Sequence, residues 1–382
     1  MSDLLVVGAG LYGLTVAERA ANELGLHVTI IDKRDHVGGN AYSSFDAATG
    51  IEVHQYGAHL FHTSNERVWE YANRFTTFTN YVHRVYTVHG GTVYPMPVNL
   101  GTINQFFGTA MSPDEARTFI AQQAAEFAGD EPQNLLEKGI SLVGRPLFEA
   151  FFAGYTAKQW QTPLEQLPPS IISRLPVRYT YDNRYFSDTH EGLPADGYAK
   201  WFERMADNPR IDVKLGVDFF AADGDLTKTA AVGQIPVVYT GPIDRYFNYS
   251  AGNLAWRTID LIEETLPTAD FQGTSVMNYA DTHVPFTRII EFRHFHPERS
   301  YAGDTTLIHR EYSRFAAPED EPYYPVNTAA DQAVLAQYRE LAKAEPRVHF
   351  GGRLGNYAYL DMHQTIASAL GFAETGLIKL LG

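Results

Sequence analysis

Three glycines spaced Gly8-x-Gly10-x-x-Gly13 constrain this chain more than any other feature. They fall between a short apolar run, Leu4–Val7, and a helical pattern from Leu11 to about Glu23 with Leu14, Ala17, Ala20 and Ala21 on one side. A second apolar run, 28–31, follows and closes on Asp32. Strand, glycine turn, helix and strand within roughly 30 residues form the opening unit of a doubly wound parallel sheet. Each glycine has a mechanical task there: a tight turn, close backbone approach to a pyrophosphate, and close helix–strand packing. The helix N-terminus offers N–H groups and the positive end of its dipole to the phosphates. Asp32, nineteen residues after Gly13, is placed to accept ribose hydroxyls. The pattern predicts a dinucleotide site.

The rest of the chain reads as insertions into that unit. Residues 64–79 predict a surface helix with Ser64 as its cap. From Tyr81 to Val93 the pattern alternates, and Tyr94-Pro95-Met96-Pro97 punctuates it. Residues 99–165 are rich in Ala, Glu, Gln, Leu and Phe, with a helix start at Ser112-Pro113-Asp114-Glu115. Pro163, Pro168, Pro169 and Pro176 mark an irregular loop. Strands are expected at 211–220 and 236–240, and an antiparallel sheet from 272–279, 285–295 and 305–313. A helix over 329–344, a strand over 348–352 and a helix over 366–380 complete the pattern.

Composition narrows the chemistry. The 382 residues carry 30 Lys and Arg against 45 Asp and Glu, a net charge of −15, and no cysteine. Disulfides, thiolate zinc sites, iron–sulfur clusters and cysteine nucleophiles are therefore excluded. The acidic balance argues against nucleic-acid binding, and no apolar run approaches the ~18 residues of a membrane span. No signal-peptide pattern opens the chain, so a cytoplasmic protein is expected. His54, His59 and His62 lack the carboxylate pattern of a metal site, and no metal is expected. His294 and His296 would share one face of a strand as packing residues.

Gly38-Gly39-Asn40, six residues after Asp32, adds a second glycine pair able to approach the same dinucleotide. In this the sequence resembles flavoproteins of the glutathione-reductase type, which points to bound FAD rather than transient NAD. In that group a terminal strand adds a further contact, for which Gly351-Gly352-Arg353 is the candidate.

Seven blocks then carry a closer resemblance: YGAHLFHT (56–63), YPMPVNL (94–100), FFAGYTAKQW (151–160), YTGPIDRYF (239–247), PFTRIIEF (285–292), EPYYPVN (321–327) and GRLGNYAYLDM (352–362). The sequence resembles the bacterial UDP-galactopyranose mutases, in block order and over nearly the whole chain. The resemblance implies an α/β fold: an FAD-binding Rossmann-like domain (1–80 with 205–250 and 335–382), a helical domain (98–170) and a twisted antiparallel sheet domain (81–97 with 171–204 and 251–334). It implies an isomerase that interconverts UDP-galactopyranose and UDP-galactofuranose, a step toward galactofuranose-containing glycans. In that family N5 of reduced FAD attacks the anomeric carbon, UDP leaves and returns, and there is no net redox change. An external reductant such as NAD(P)H and a homodimer are implied as well.

Residue by residue, the resemblance assigns Arg174 and Arg288 to the pyrophosphate, where bidentate guanidinium contacts suit the anion. Arg257 is carried over as a further substrate residue. Phe151, Tyr155, Thr156 and Trp160 read as core packing on spacing alone; with the resemblance they form a uridine platform. Tyr185 and Asn278 match other UDP contacts. Tyr359 and one of Tyr323 and Tyr324 should reach the phosphates, a choice the sequence leaves open. His59 would pack against the flavin and Asp361 would lie by flavin and sugar. Beyond the glycines, Asp32, Asn40 and Arg353, the cofactor set comprises Leu11, Tyr12, Lys33, Leu60, Val217, Asp218, Thr240, Gly241, Leu360 and Met362. Ala358 stands where relatives often carry a basic residue, and Asp32 replaces the commoner Glu. The competing readings are an FAD-dependent oxidoreductase of the amine-oxidase-like type and a non-catalytic nucleotide-sugar or flavin-binding module.

Overall fold

The computed structural model describes residues 2–127, 131–173, 176–301 and 303–382. Five short strands, rich in Val, Leu and Ile, form a fully parallel sheet in the spatial order Val348–Phe350, Val237–Tyr239, Leu4–Val7, Val28–Asp32, Ile211–Leu215. Leu4, Leu5, Val6, Ile30 and Ile31 are wholly buried, as expected of strands covered on both faces. The helix Leu11–Glu23 covers one face together with Met362–Thr375. A helix not anticipated from the sequence, Tyr198–Ala206, packs on Leu11–Glu23 as well, burying Tyr198, Trp201, Phe202 and Met205.

A second sheet has seven strands in the order Tyr324–Pro325, Trp256–Leu266, Thr306–Phe315, Arg288–Glu291, Val276–Tyr279, Val85–His89, Thr92–Met96. It is antiparallel except where Val276–Tyr279 runs parallel to Val85–His89. That pair joins segments separated by the helical insert, so no tight turn dictates its direction. The longest strand, Trp256–Leu266, was not expected. Its outer half is exposed, with Ile262 49% accessible, so the sequence lacks the alternation of a half-buried strand. Its register with Thr306–Phe315 is nonetheless continuous over ten pairs.

The helical insert is built as expected from helices Leu100–Phe107, Pro113–Gln123, Leu135–Val143 and Gly154–Trp160. Ser112 and Glu115 form the reciprocal capping box of the second. Other expectations need correction. The 64–79 helix is only Glu66–Ala72, capped by Asn65, while the Ser64 hydroxyl donates to Asp188 instead. The proline-rich loop contains two short helical turns, Leu164–Gln166 and Ser170–Ser173. The predicted 285–295 strand ends at Glu291 and tightens into a 3₁₀ turn, Phe292–Phe295. His294 and His296 therefore share no strand face: His294 pairs with Asp270, and buried His296 pairs with Glu52.

Candidate functional site

At the glycine turn the backbone does what the spacing predicts. Gly8 adopts φ +108°, a conformation L side chains rarely enter. A Cβ on Gly13 would collide with the Gly8 carbonyl oxygen. The helix Leu11–Glu23 starts at Gly10 with no side-chain cap and no acidic residue in its first turn. Its N–H groups are therefore presented to whatever anion approaches. The second glycine pair lies directly against the first: the Gly38 N–H donates to the Ala9 carbonyl at 2.7 Å. A Cβ on Gly39 would meet the Gly10 backbone. The Asp32 carboxylate accepts the Ala9 and Arg34 N–H groups at 2.8 and 2.9 Å, which fixes it at the strand end. The uncapped helix start, the paired glycine cradle and the anchored carboxylate fit an adenine dinucleotide such as FAD.

From this turn a cavity of about 1180 Å³ runs to the opposite sheet. Every residue expected to contact the cofactor lines it, apart from Gly13, whose task is packing, and Gly351, which packs against the Tyr12 ring. Thr240 and Gly241 follow the strand Val237–Tyr239, and Arg353 stands in the short helix Gly352–Gly355 after the last parallel strand. Leu360, Asp361 and Met362 lie at the start of Met362–Thr375, where the Asp361 N–H is bonded to the Gln364 side chain at 2.9 Å. Lys33 is tied to Glu321 at 2.5 Å, as is Arg34 at 2.7 Å.

His59 is held on both sides of its backbone. Its N–H donates to His54 Nδ1 at 3.1 Å, and its carbonyl accepts the Tyr198 hydroxyl at 2.8 Å. Its Nδ1 lies 2.8 Å from the Gly57 carbonyl. As the donor in that bond it leaves Nε2 as an acceptor. Burial pushes its pKa down to about 4, so the ring is neutral at pH 7. His54 beneath it, stacked on Phe295, is pushed down to about 3, again chiefly by burial.

At the far end, Phe151, Tyr155, Tyr185, Asn278, Arg288 and Tyr324 line the cavity, as does Tyr359. Arg288 pairs with the buried Glu311 carboxylate at 3.0 Å. Burial opposes the Arg288 charge, but Glu311 and the surrounding tyrosine hydroxyls hold the guanidinium firmly protonated. Asn278 Oδ1 is buried with no partner among the described residues. An orphaned acceptor on a cavity wall is an unmet requirement that a ligand donor can fill. Tyr324 and Tyr359 stack with centroids 5.6 Å apart and planes 13° from parallel. Tyr323 is buried and does not line the cavity, which separates the two tyrosines that the sequence left equivalent.

Three further expected substrate residues do not line the cavity. Thr156 and Trp160 are buried beside the platform. One π-helical turn, Glu149–Ala153, precedes the helix Gly154–Trp160. Within that helix Thr156 and Trp160 are turned about 100° and about 140° from Tyr155, which puts them on another face. Arg257 is wholly buried and spent internally: Nε donates to the Gln159 carbonyl at 3.0 Å and the guanidinium reaches Ser313 and Gln161. Burial and the nearby Arg314 charge pull its pKa down to about 10, which keeps it cationic against the helix C-terminus. Arg174 lies outside the described residues.

Sequence reasoning missed several lining residues. His83 is buried beside Tyr185 and held neutral, its pKa pushed to about 3 by burial and by Arg288. Phe186 stacks on His62 at 3.6 Å, and His62 Nδ1 pairs with Asp188 at 2.7 Å. No spacing rule links 62, 83 and 186–188; the strand pairing of Phe61–Thr63 with His190–Gly192 and the Tyr185 N–H donated to the His83 carbonyl at 2.8 Å bring them together. His62, Asp361 and His363 place donor atoms within 4.8 Å of one another, as do Asp270, Glu291 and His294. In the second group the three side chains already pair among themselves. No helix among the described residues is long and apolar enough to cross a membrane.

A family model described as UDP-galactopyranose mutase matches residues 150–359, and one described as an NAD(P)-binding Rossmann-like domain matches residues 6–75. The chain is 42% identical over 372 residues to a probable UDP-galactopyranose mutase of Klebsiella pneumoniae, covering 97% of this chain and 94% of that one. It is 40% identical over 375 residues to a dTDP-fucopyranose mutase of Escherichia coli, covering 98% of both. A crystal structure of reduced UDP-galactopyranose mutase superposes with a TM-score of 0.76 over 98% of this chain and 93% of that one. At 14% identity that likeness speaks for the fold alone.

Proposed function

The chain belongs to the UDP-galactopyranose mutase family, and on that premise we propose that it interconverts UDP-galactopyranose and UDP-galactofuranose with FAD as its bound cofactor. The observation that carries the reading is the continuous cavity, with a dinucleotide cradle at one end and the Arg288–Asn278–Tyr155 cluster at the other. Reduced FAD, when bound, supplies the electron pair that holds the anomeric carbon while UDP is away, with no net redox change.

The chain's own residues do the rest. Arg288, kept charged by Glu311, takes up the negative charge that grows on the diphosphate as the glycosyl bond breaks. Arg174 is the second cation of that clamp in our reading. Asn278 Oδ1 accepts a donor from the nucleotide, and Phe151 and Tyr155 provide its apolar wall. Of the tyrosine pair, Tyr324 rather than Tyr323 reaches the phosphates, together with Tyr359. A neutral His59 presents an acceptor toward the cofactor and adds no second positive charge beside it. Family resemblance supports the remaining parts of the reading: a cytoplasmic homodimer, reduced by a donor such as NAD(P)H, that feeds a glycan precursor route.

The test is chromatographic. Protein reduced with dithionite should convert UDP-galactofuranose to UDP-galactopyranose, and oxidised protein should not. Equal rates in the two states would overturn the requirement for reduced cofactor, and net oxidation of the sugar would favour the amine-oxidase-like alternative. Because one relative is named a dTDP-fucopyranose mutase, dTDP-fucopyranose belongs in the same assay. Faster turnover of that sugar would reassign the substrate within the same chemistry.

A further inference from the structure

Outside the cavity, four backbone carbonyl oxygens enclose the ammonium of Lys158: those of Tyr279 at 2.7 Å and of Asp281, Val284 and Phe286 at 3.0 Å each. Tyr279 ends the strand Val276–Tyr279, and the other three belong to its connection with the strand Arg288–Glu291. An ammonium has three N–H donors and no acceptor, so this ring of carbonyls uses it fully. A compact point charge on a long stem suits the centre of such a ring, whereas a planar guanidinium fork does not.

One helical turn earlier, Gly154 touches the same connection. A Cβ there would collide with the Ala280 carbonyl oxygen and crowd the Thr282 side chain at 3.1 Å. Residues four apart share a helix face, so Gly154 and Lys158 together dock the helix Gly154–Trp160 onto the 279–287 connection. Neither residue lines the cavity, yet the parts they join do. The helix and the π-helical turn before it carry Tyr155 and Phe151. The two strands carry Asn278 and Arg288.

We propose that Lys158 is a positioning residue for the nucleotide half of the site: it sets Phe151 and Tyr155 against Asn278 and Arg288 without touching substrate. The proposal rests on reading that half as the UDP-sugar site. Without the cation, four inward-facing carbonyls lose their shared donor, and the connection must open to hydrate them. Such opening separates Tyr155 from Arg288 and leaves the glycine cradle, on the other sheet, as it was.

The experiment uses the FAD-loaded protein and measures flavin content, melting temperature, the UDP dissociation constant by calorimetry, and KM and kcat. Lys158→Met should retain full flavin with an unchanged visible spectrum, while the UDP dissociation constant rises at least tenfold and KM rises in step. Gly154→Ala, which attacks the same contact from its other point, should weaken UDP several-fold, and the double variant should weaken it by less than the product of the two. A purely scaffolding lysine would lower the melting temperature and leave UDP affinity within twofold, which overturns the proposal. Should Lys158→Met fail to fold, wild-type UDP affinity in Gly154→Ala overturns it equally. If the unmodified protein binds no UDP, the site reading falls and the proposal with it. If it binds UDP and the variants match it, the proposal alone falls.

Discussion

At one end of the cavity the chain presents backbone, and at the other it presents side chains. The dinucleotide cradle consists of glycine conformations, free helix N–H groups and one anchored carboxylate, nearly all within residues 8–40. The nucleotide end draws single side chains from a helix near 155, three strands near 278, 288 and 324, and a loop near 359. A site made of backbone tolerates almost no change at its glycines and is indifferent to many neighbouring side chains. A site made of side chains can lose one contact and keep its shape.

That contrast orders the expected effects. The largest should come from Gly13→Val. The colliding atom is the Gly8 carbonyl oxygen, which cannot swing away as a side chain would, so soluble protein should carry no flavin absorbance near the visible maximum. A flavin-loaded Gly13→Val variant would erase the distinction between the two ends. Next, Arg288→Ala should lower turnover about 10²–10³-fold, the scale for loss of one preorganised donor, with flavin stoichiometry unchanged. Flavin loss there would mean the two ends are mechanically one.

Acid should act on both ends at once. His54 accepts the His59 backbone N–H and His83 lies beside Tyr185, and burial holds each near a pKa of about 3 in the folded chain, against about 6.5 unfolded. The unfolded chain therefore binds more protons between those values, and stability must fall as pH drops below about 6.5. Each histidine contributes a slope of about 1.4 kcal/mol per pH unit. Melting temperatures from pH 7.5 to 5 should fall accordingly, and His83→Gln should flatten the curve if the group titrates as described. A flat profile in the unmodified protein would contradict the buried neutral state. The smallest effect should separate the tyrosines. Tyr324→Phe should reduce kcat/KM about tenfold, near 1.4 kcal/mol of transition-state contact, whereas Tyr323→Phe should stay within twofold.

The same contrast explains what could be read from the sequence. The first strand and helix, Leu4–Val7 and Leu11–Glu23, match expectation residue for residue, because glycine spacing and apolar runs are local signals. The strand Trp256–Leu266 and the helix Tyr198–Ala206 escaped notice. One shows exposed apolar residues in its outer half, and the other begins after Gly197 with no side-chain cap. At the nucleotide end, types and spacings alone favoured core packing for Phe151 and Tyr155; family resemblance supplied their other reading. Even then it did not separate Tyr155 from Thr156 and Trp160, which are buried off the cavity, nor foresee that Arg257 would be consumed by Gln159 and Ser313. Those outcomes depend on tertiary neighbours more than ninety positions away, such as Arg257 and Gln159, which no local pattern encodes.

The order of strands in the parallel sheet has a consequence for the growing chain. Leu4–Val7 is flanked on one side by Val237–Tyr239, which in turn waits for Val348–Phe350, and Val28–Asp32 waits for Ile211–Leu215. The glycine turn thus leaves the ribosome long before the segment that carries Arg353. Pairings of such long sequence separation form late and slowly. Cofactor capture therefore waits for the segment that carries Arg353, and a flavin shortage would be felt as chains held open at one edge of the parallel sheet.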